Sequence, residues 1–263
     1  MLPRFHIGID QVPLSTGLVF GLPDGASRHI QVLRLQPGAL VQLFDGRGHE
    51  WQATVTEMGR KVVTVAIREP LHHNRELPVQ VTLAIGMPAN DRMDALVEKA
   101  AELGVFAIQP LICERSVLRL DGERAAKKVA HWQAVAISAC EQCGRATVPK
   151  VHEVRSLSSW LHMQVHATGA SESPSVHRGV LSLREAATLS TWIAACSPAD
   201  GRRTASPVVG YVFLSGPEGG LSPTEEQAAL DSGWAAVSLG PRVLRADTAP
   251  LAALSVIGAA YEL

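Results

Sequence analysis

Apolar and polar positions alternate differently in the two parts of this chain. From Ile30 to Ile67 the apolar residues recur with period two in β-branched runs: "ALVQLFDG" (39–46), "HEWQATVTEM" (49–58) and "KVVTVAIRE" (61–69). That spacing puts alternate side chains on one face and predicts three strands, with Asp45-Gly46 and Gly59 as turns. Short strands this close together predict a small barrel. Ahead of them, "SRHIQVLRLQPG" (27–38) reads as a short helix stopped by Pro37-Gly38. The polar, proline-bracketed "PLHHNRELP" (70–78) has the composition of a linker. It places the boundary between a first domain, 1–75, and a second, 76–263.

Beyond that boundary, apolar strands alternate with helical patterns. "VQVTLAIGM" (79–87) predicts a strand, and "NDRMDALVEKAAELG" (90–104) a helix ended by Gly104. Met93, Leu96, Val97, Ala100, Ala101 and Leu103 make that helix's apolar side. "VFAIQPLI" (105–112) predicts the next strand and "ERAAKKVAHWQAVAISACEQCG" (123–144) a long helix closed by Gly144. "GVLSL", "GYVFLS" and "AAVSLG" are further strands, each with a loop and helix behind it. The alternation predicts an α/β domain with a parallel sheet covered on both faces. The Ser/Pro/Gly-rich stretches 168–178 and 197–207 read as surface loops.

Composition adds limits. In 263 residues, 46% are apolar and 19% charged, enough for a core in each domain. No stretch approaches the roughly 18 uncharged apolar residues of a membrane span, and the N-terminus lacks a signal-peptide pattern. The expectation is a cytoplasmic protein with no membrane partner. A formal charge of -1 means that any polyanion site is a local patch. Cys140 and Cys143 form a C-x-x-C inside an Ala-rich helical stretch, and no second Cys/His pair follows to complete a zinc set. Helical packing is the reading, with no metal expected.

Chemistry concentrates in two loops. In "VFLSGPEGGLSPTEEQAAL" (212–230) a strand runs into Ser215-Gly216-Pro217-Glu218-Gly219-Gly220, then a helix opens with Ser222 as N-cap, Pro223 at N1 and Glu225 at N3. The loop is neither a P-loop nor a dinucleotide fingerprint. Its glycines permit a ligand to approach backbone N–H groups, but Glu218 would repel a phosphate. A neutral or cationic group fits better. "AAVSLGPRVLRADTAP" (235–250) repeats the layout, with Gly240-Pro241-Arg242, then Arg245 and Asp247, and a helix from about Thr248. Two such loops would meet at the carboxyl edge of a parallel sheet, where these folds bind ligands. Spacing alone is equally compatible with tight turns that hold nothing.

These two loops resemble the paired C-terminal motifs of the SPOUT class of RNA methyltransferases. More closely, they are similar to the bacterial 16S ribosomal RNA uridine-N3 methyltransferase family. "PRFHI", "HIQVLRLQPGALVQLFDGRGHEW", "NDRMDALVEKAAELGVFAIQPLICERSV" and "ACEQCGRATVPKV" fall in that family's order, so the resemblance runs from Pro3 to Leu254. It implies a PUA-like RNA-binding β-barrel followed by an α/β domain with a deep trefoil knot. It further implies S-adenosylmethionine as methyl donor, 16S rRNA of the small ribosomal subunit as acceptor, and a homodimer. Donor contacts would come from Leu183 in the first knot loop, from Leu214, Ser215, Gly216, Pro217, Glu218, Gly219 and Gly220, and from Ser238, Leu239, Gly240, Leu244 and Arg245. A sulfonium is compatible with Glu218.

Methyl transfer to uridine N3 requires loss of that nitrogen's proton, or cations to hold the anion. Arg242 and Arg245 are the candidates for stabilisation, with Asp247 or Glu218 as acid–base groups; each is alternatively an ion-pair partner. RNA contacts are expected from Arg4, His6, Arg28, His29 and Arg34, with Arg92, Arg115 and Arg145 near the site; Arg115 and Arg145 are alternatively structural ion-pair partners. Two departures stand out. The family's Pro-Lys-Gly-Asp run is Pro88-Ala89-Asn90-Asp91 here, which leaves Arg92 as the nearest basic substitute. Its Glu-Thr-Ala is Asp247-Thr248-Ala249, which puts in doubt any role that depends on reach. Residues 171–177 look like an extra loop. The alternatives are a SPOUT enzyme with another RNA target, and a non-catalytic RNA-binding ribosome-assembly protein.

Overall fold

The computed structural model describes residues 2–8, 14–89, 92–166, 176–184, 186–196 and 210–262. The chain divides into two compact units, Met1–Glu76 with Ile137–Val148, and Leu77–Ala136 with Pro149–Leu263.

The first unit holds a five-stranded sheet and the helix α1 (Asp24–Val32). Its strands β1 (Arg4–His6), β2 (Val19–Gly21), β3 (Leu40–Phe44), β4 (Glu50–Met58) and β5 (Val63–Leu71) are ordered β1-β3-β4-β5-β2. Only β1 pairs in parallel, Phe5 lying opposite Leu43. The period-two pattern works as expected: Val41, Leu43, Ala53, Val55, Val63, Val65 and Ile67 close on Phe5 and on Ala26 and Ile30 of α1. Three boundaries differ from the sequence reading. The helix starts at Asp24 and stops at Val32, because Arg34 takes a left-handed φ of 53°. The third strand continues through Pro70 to Leu71, inside the expected linker. The end of the long helix, from 137, counts with this unit.

The second unit holds an eight-stranded sheet in which every pairing is parallel. Its main strands are β6 (Gln80–Gly86), β7 (Ala107–Ile112), β10 (Val176–Leu181), β12 (Gly210–Ser215) and β13 (Ala235–Ser238). Two-residue strands β8 (Lys150–Val151), β9 (Arg155–Ser156) and β11 (Ala187–Thr188) extend the edges. The order is β11-β13-β10-β12-β6-β7-β8, with β9 also on β7. All six residues of β12 are buried, so it reads as a continuous apolar run rather than an alternating one.

Helices cover both faces: α2 (Arg92–Glu102), α3 (Gly122–Cys143), α4 (Leu157–His166), α5 (Leu189–Cys196), α6 (Pro223–Asp231) and α7 (Thr248–Glu262). Val212 and Leu214 pack with Trp160 and Leu161 of α4, Ala229 of α6 and Trp234. Tyr211 and Phe213 point the other way, where Trp192 of α5 lies 5.8 and 5.7 Å from them, ring centre to ring centre. Tyr211 is bonded there to Tyr261 of α7, oxygen to oxygen at 2.6 Å. On α2, Met93, Leu96, Val97, Ala100 and Ala101 are buried as expected, but Leu103 is 38% exposed beyond the helix end. The loops expected at 168–178 and 197–207 lie outside the described residues, except that Val176, His177 and Arg178 belong to β10. Asn90 and Asp91 also lie outside them.

Candidate functional site

The carboxyl ends of β10, β12 and β13 lie side by side, because β10 pairs with both of the others. Their loops enclose a cavity of about 690 Å³, within the range of small-molecule sites. Leu183 comes from the first loop; Ser215, Gly216, Pro217, Glu218, Gly219 and Gly220 from the second; Leu239, Gly240, Arg242, Leu244 and Arg245 from the third. Arg92 and Arg115 reach it from the segments that follow β6 and β7, on the other side of β12 from β10. The two glycine loops singled out in the sequence therefore share one cavity. Leu214, Ser238 and Asp247 are outside its lining. The Leu214 side chain is core, and Ser238 Oγ accepts the Gly240 N–H at 3.1 Å, shaping the turn from behind.

The glycines have separate causes. A Cβ on Gly216 would sit 2.6 Å from the Leu221 nitrogen, so the loop doubles back too tightly for any side chain. Gly220 has φ of 69° with open space around it, a conformation that costs other residues strain. Helix α6 begins as expected, with Ser222 and Glu225 in a reciprocal capping box behind Pro223.

Charged groups brace this loop on both sides. Glu218 Oε1 accepts the Ala89 N–H at 2.9 Å and meets Arg92 Nη1 at 3.4 Å. Arg115 Nη1 donates to the Gly219 carbonyl at 3.0 Å, and Glu225 Oε1 accepts the Glu114 N–H at 2.7 Å. Sequence reasoning missed a further group in the cavity wall, Ser182, Arg184 and Glu226. Arg184 Nε lies 3.0 Å from Glu226 Oε2, and Ser182 Oγ donates to Glu226 Oε1. The rule that ligands sit at strand carboxyl ends would have flagged Ser182 and Arg184, which directly follow β10. Nothing in "PTEEQ" says that its two glutamates face opposite neighbours. Arg242 and Arg245 are the cavity guanidinium groups with no hydrogen-bond or ion-pair partner among the described residues.

The residues expected to bind RNA fare unevenly. Arg28 and Arg34 are exposed on and just after α1. His29 is also exposed, 3.4 Å from Glu141. Arg4 is corrected: it is buried in an ion pair with Glu50, and donates to Gln42 Oε1 at 3.2 Å and to the Arg145 carbonyl at 3.0 Å. Arg145 is likewise buried, paired with Glu76 at 2.6 Å. The ion-pair alternative holds for Arg145; for Arg4 the acidic partner is remote in sequence and leaves no local sign of the pair. His6 is half-buried, and burial pulls its pKa below the usual imidazole value, so it is neutral at pH 7. Arg92 and Arg115 border the cavity, but both hold its loops.

Among the described residues no helix is long and apolar enough to cross a membrane, and no cluster of three His, Cys, Asp or Glu could hold a metal ion. Cys140 is buried with Phe44 and Ala146, and its hydrogen bond with Cys143, followed by burial, pushes its thiol pKa up. A thiol kept protonated is neither a good ligand nor a nucleophile.

A family profile for an RNA methyltransferase domain matches residues 75–258, and one for an RNA methyltransferase PUA domain matches residues 22–68. Ribosomal RNA small subunit methyltransferase E of Bacillus subtilis is 30% identical over 265 residues, covering 100% of this chain and 98% of that one. The Mycobacterium bovis protein of the same name is 32% identical over 95% of this chain and 89% of its own length. Among solved structures, ribosomal RNA small subunit methyltransferase E from Neisseria gonorrhoeae bound to S-adenosyl methionine superposes with a TM-score of 0.81. It is 38% identical and covers 99% of this chain and 98% of that one.

Proposed function

Because this chain belongs to the RNA methyltransferase family, with a PUA-like first domain and a parallel-sheet α/β second domain, we propose that it methylates small-subunit ribosomal RNA using S-adenosylmethionine. The acceptor atom in this reading is N3 of a uridine, as the resemblance to the uridine-N3 family implies. The observation that carries it is the cavity at the carboxyl edge of β10, β12 and β13, built from the loops that bear the resemblance. Its chemistry suits the donor. Two carboxylates, Glu218 and Glu226, stand in its wall, each paired with one arginine, Arg92 and Arg184. The glycine loops leave backbone groups open for an adenine and a ribose. When bound, the donor supplies an electrophilic methyl group on a sulfonium.

The chain's own residues divide the remaining work. Ser215 through Gly220, with Leu239, Gly240 and Leu244, form the donor walls, held by Arg115, Glu218 and Glu225. Arg242 and Arg245, uncommitted and at the cavity, stabilise the anion that uridine N3 becomes once its proton leaves. Glu218 Oε1 is held by Ala89 and Arg92, so in this reading Glu218 braces the loop rather than acting as the base. Arg28 and Arg34 supply phosphate contacts on the first domain. N3 lies on the pairing edge, so the target base has to be unstacked to react. The same reading carries a deep trefoil knot, a cytoplasmic location and a homodimer; light scattering tests the last, with a mass near twice 28.1 kDa expected.

The test is nucleoside analysis of unmodified small-subunit RNA, free or assembled, after incubation with protein and S-adenosylmethionine. 3-Methyluridine supports the proposal. A ribose-methylated or guanine-methylated product would reassign the target, and donor binding without any product would favour an RNA-binding role.

A further inference from the structure

Resting on the donor reading above, we propose that Arg184 and Glu226 form the receptor for the aminocarboxylate end of S-adenosylmethionine. That end carries an ammonium and a carboxylate on one carbon, and a pocket that recognises it needs a cation and an anion side by side. Two pairs of this kind border the cavity, Arg184–Glu226 and Arg92–Glu218, and they are built differently. Glu218 is 29% and Arg92 43% exposed, they meet at 3.4 Å, and Glu218 Oε1 is shared with the Ala89 N–H. Glu226 is only 12% exposed and has both carboxylate oxygens occupied, Oε2 by Arg184 Nε at 3.0 Å and Oε1 by Ser182 Oγ. The Arg184 N–H donates in turn to Ser182 Oγ at 3.0 Å, which closes a ring of hydrogen bonds.

The ring fixes the guanidinium through Nε alone. Its two Nη groups make no bond among the described residues, and a carboxylate accepts from such a fork in a planar, charge-assisted geometry. Each Glu226 oxygen keeps a second lone pair for the ligand ammonium. Among the described residues no carboxylate lies within ion-pair distance of Arg242 or Arg245, so within that set they offer a cation without the matching anion.

The test is calorimetry with two ligands, S-adenosylhomocysteine, which has both charged groups, and 5′-methylthioadenosine, which has neither. The wild-type protein and the R184Q, E226Q and R92Q variants are compared, with R184K as a charge-keeping variant should R184Q fail to fold. The wild type is expected to prefer S-adenosylhomocysteine. R184Q is expected to weaken that ligand about tenfold to hundredfold while changing methylthioadenosine by less than about twofold. R184K, which keeps the charge but loses the fork, is expected to lose part of the preference. Equal effects on both ligands, no effect on either, or a ligand-selective loss in R92Q instead would overturn the assignment. Failure of the wild type to bind either compound would overturn the donor reading itself, and this assignment with it.

Discussion

Replacing Arg4 by alanine separates a structural cation from an RNA contact. The Arg4 and Glu50 side chains are 2% and 1% exposed, so removing Arg4 leaves a carboxylate buried beside weaker partners. Those are Arg75 at 3.5 Å and His73 at 3.8 Å. The guanidinium also lies 5.0 Å from the Phe44 ring centre, and its truncation strips a donor from the Arg145 carbonyl. Breaking a buried pair from one side costs about 3–5 kcal/mol. At 1.4 kcal/mol per tenfold change, amide hydrogens of β3, β4 and β5 that exchange by opening of this unit should exchange roughly 10²- to 10⁴-fold faster. Removing the charge from both sides, as in R4M with E50L, should recover most of the loss, because no isolated charge then remains.

Hydrogen exchange followed by mass spectrometry reads these strands alone, so unfolding of the second unit does not blur the result. RNA affinity is measured under conditions where R4A stays folded, and should then match the wild type. Unchanged exchange in R4A, together with weaker RNA binding and a shallower salt dependence, would refute the reasoning and return Arg4 to the RNA surface.

Three further outcomes are expected. R242A should abolish methyl transfer with donor affinity within about twofold of wild type by calorimetry, since its guanidinium braces no loop; normal turnover would remove it from the mechanism. Alanine at both Arg28 and Arg34 should lower the slope of log affinity against log salt by about 1–2, and an unchanged slope in filter binding would show that neither meets a phosphate. Burial depresses the pKa values of His6, His152 and His177 below 6.5, so in acid the unfolded chain takes up protons before the folded one. Their contribution to stability is full above about pH 6.5 and is lost as pH falls below it; melting curves between about pH 5 and 8 should show that decline, and H6Q should soften it.

The limits of sequence reading follow from the range of the interactions involved. Strands β3 to β5 and the helices α2, α3 and α6 were legible because hydrophobic period and caps are local signals. Strands β1 and β2, with three residues each, are too short to carry a period, and the parallel pairing of Arg4–His6 with β3 depends on the whole sheet. Helix α3 carries no mark at residue 137, yet Cys140 and Ala146 pack with Phe44 of the first unit. The Arg4–Glu50 and Arg145–Glu76 partners lie 46 and 69 residues apart, a distance at which composition says nothing about pairing. Arg4 reads as a surface cation for that reason, and for Arg145 an ion pair is legible only as an alternative without a named partner.

The carboxylates of the Ser215–Glu226 segment pose the same problem at close range, and the sheet order resolves it. Strand β12 lies between β10 on one side and β6 on the other, with β7 next beyond β6. Glu218 reaches the segment after β6 through Ala89 and Arg92. Glu225 reaches the segment after β7 through Glu114, and Glu226 reaches the segment after β10 through Ser182 and Arg184. Three acids on one loop and helix start thus brace the loops of three other strands. A glycine loop followed by acids suits the proposed sulfonium donor better than it suits an anion. Its carboxylates fasten the neighbouring loops, and its backbone, kept bare by Gly216 and Gly220, remains available to a cationic ligand. On this argument the acidic residues are required by the position of β12 in the sheet, whichever RNA atom receives the methyl group.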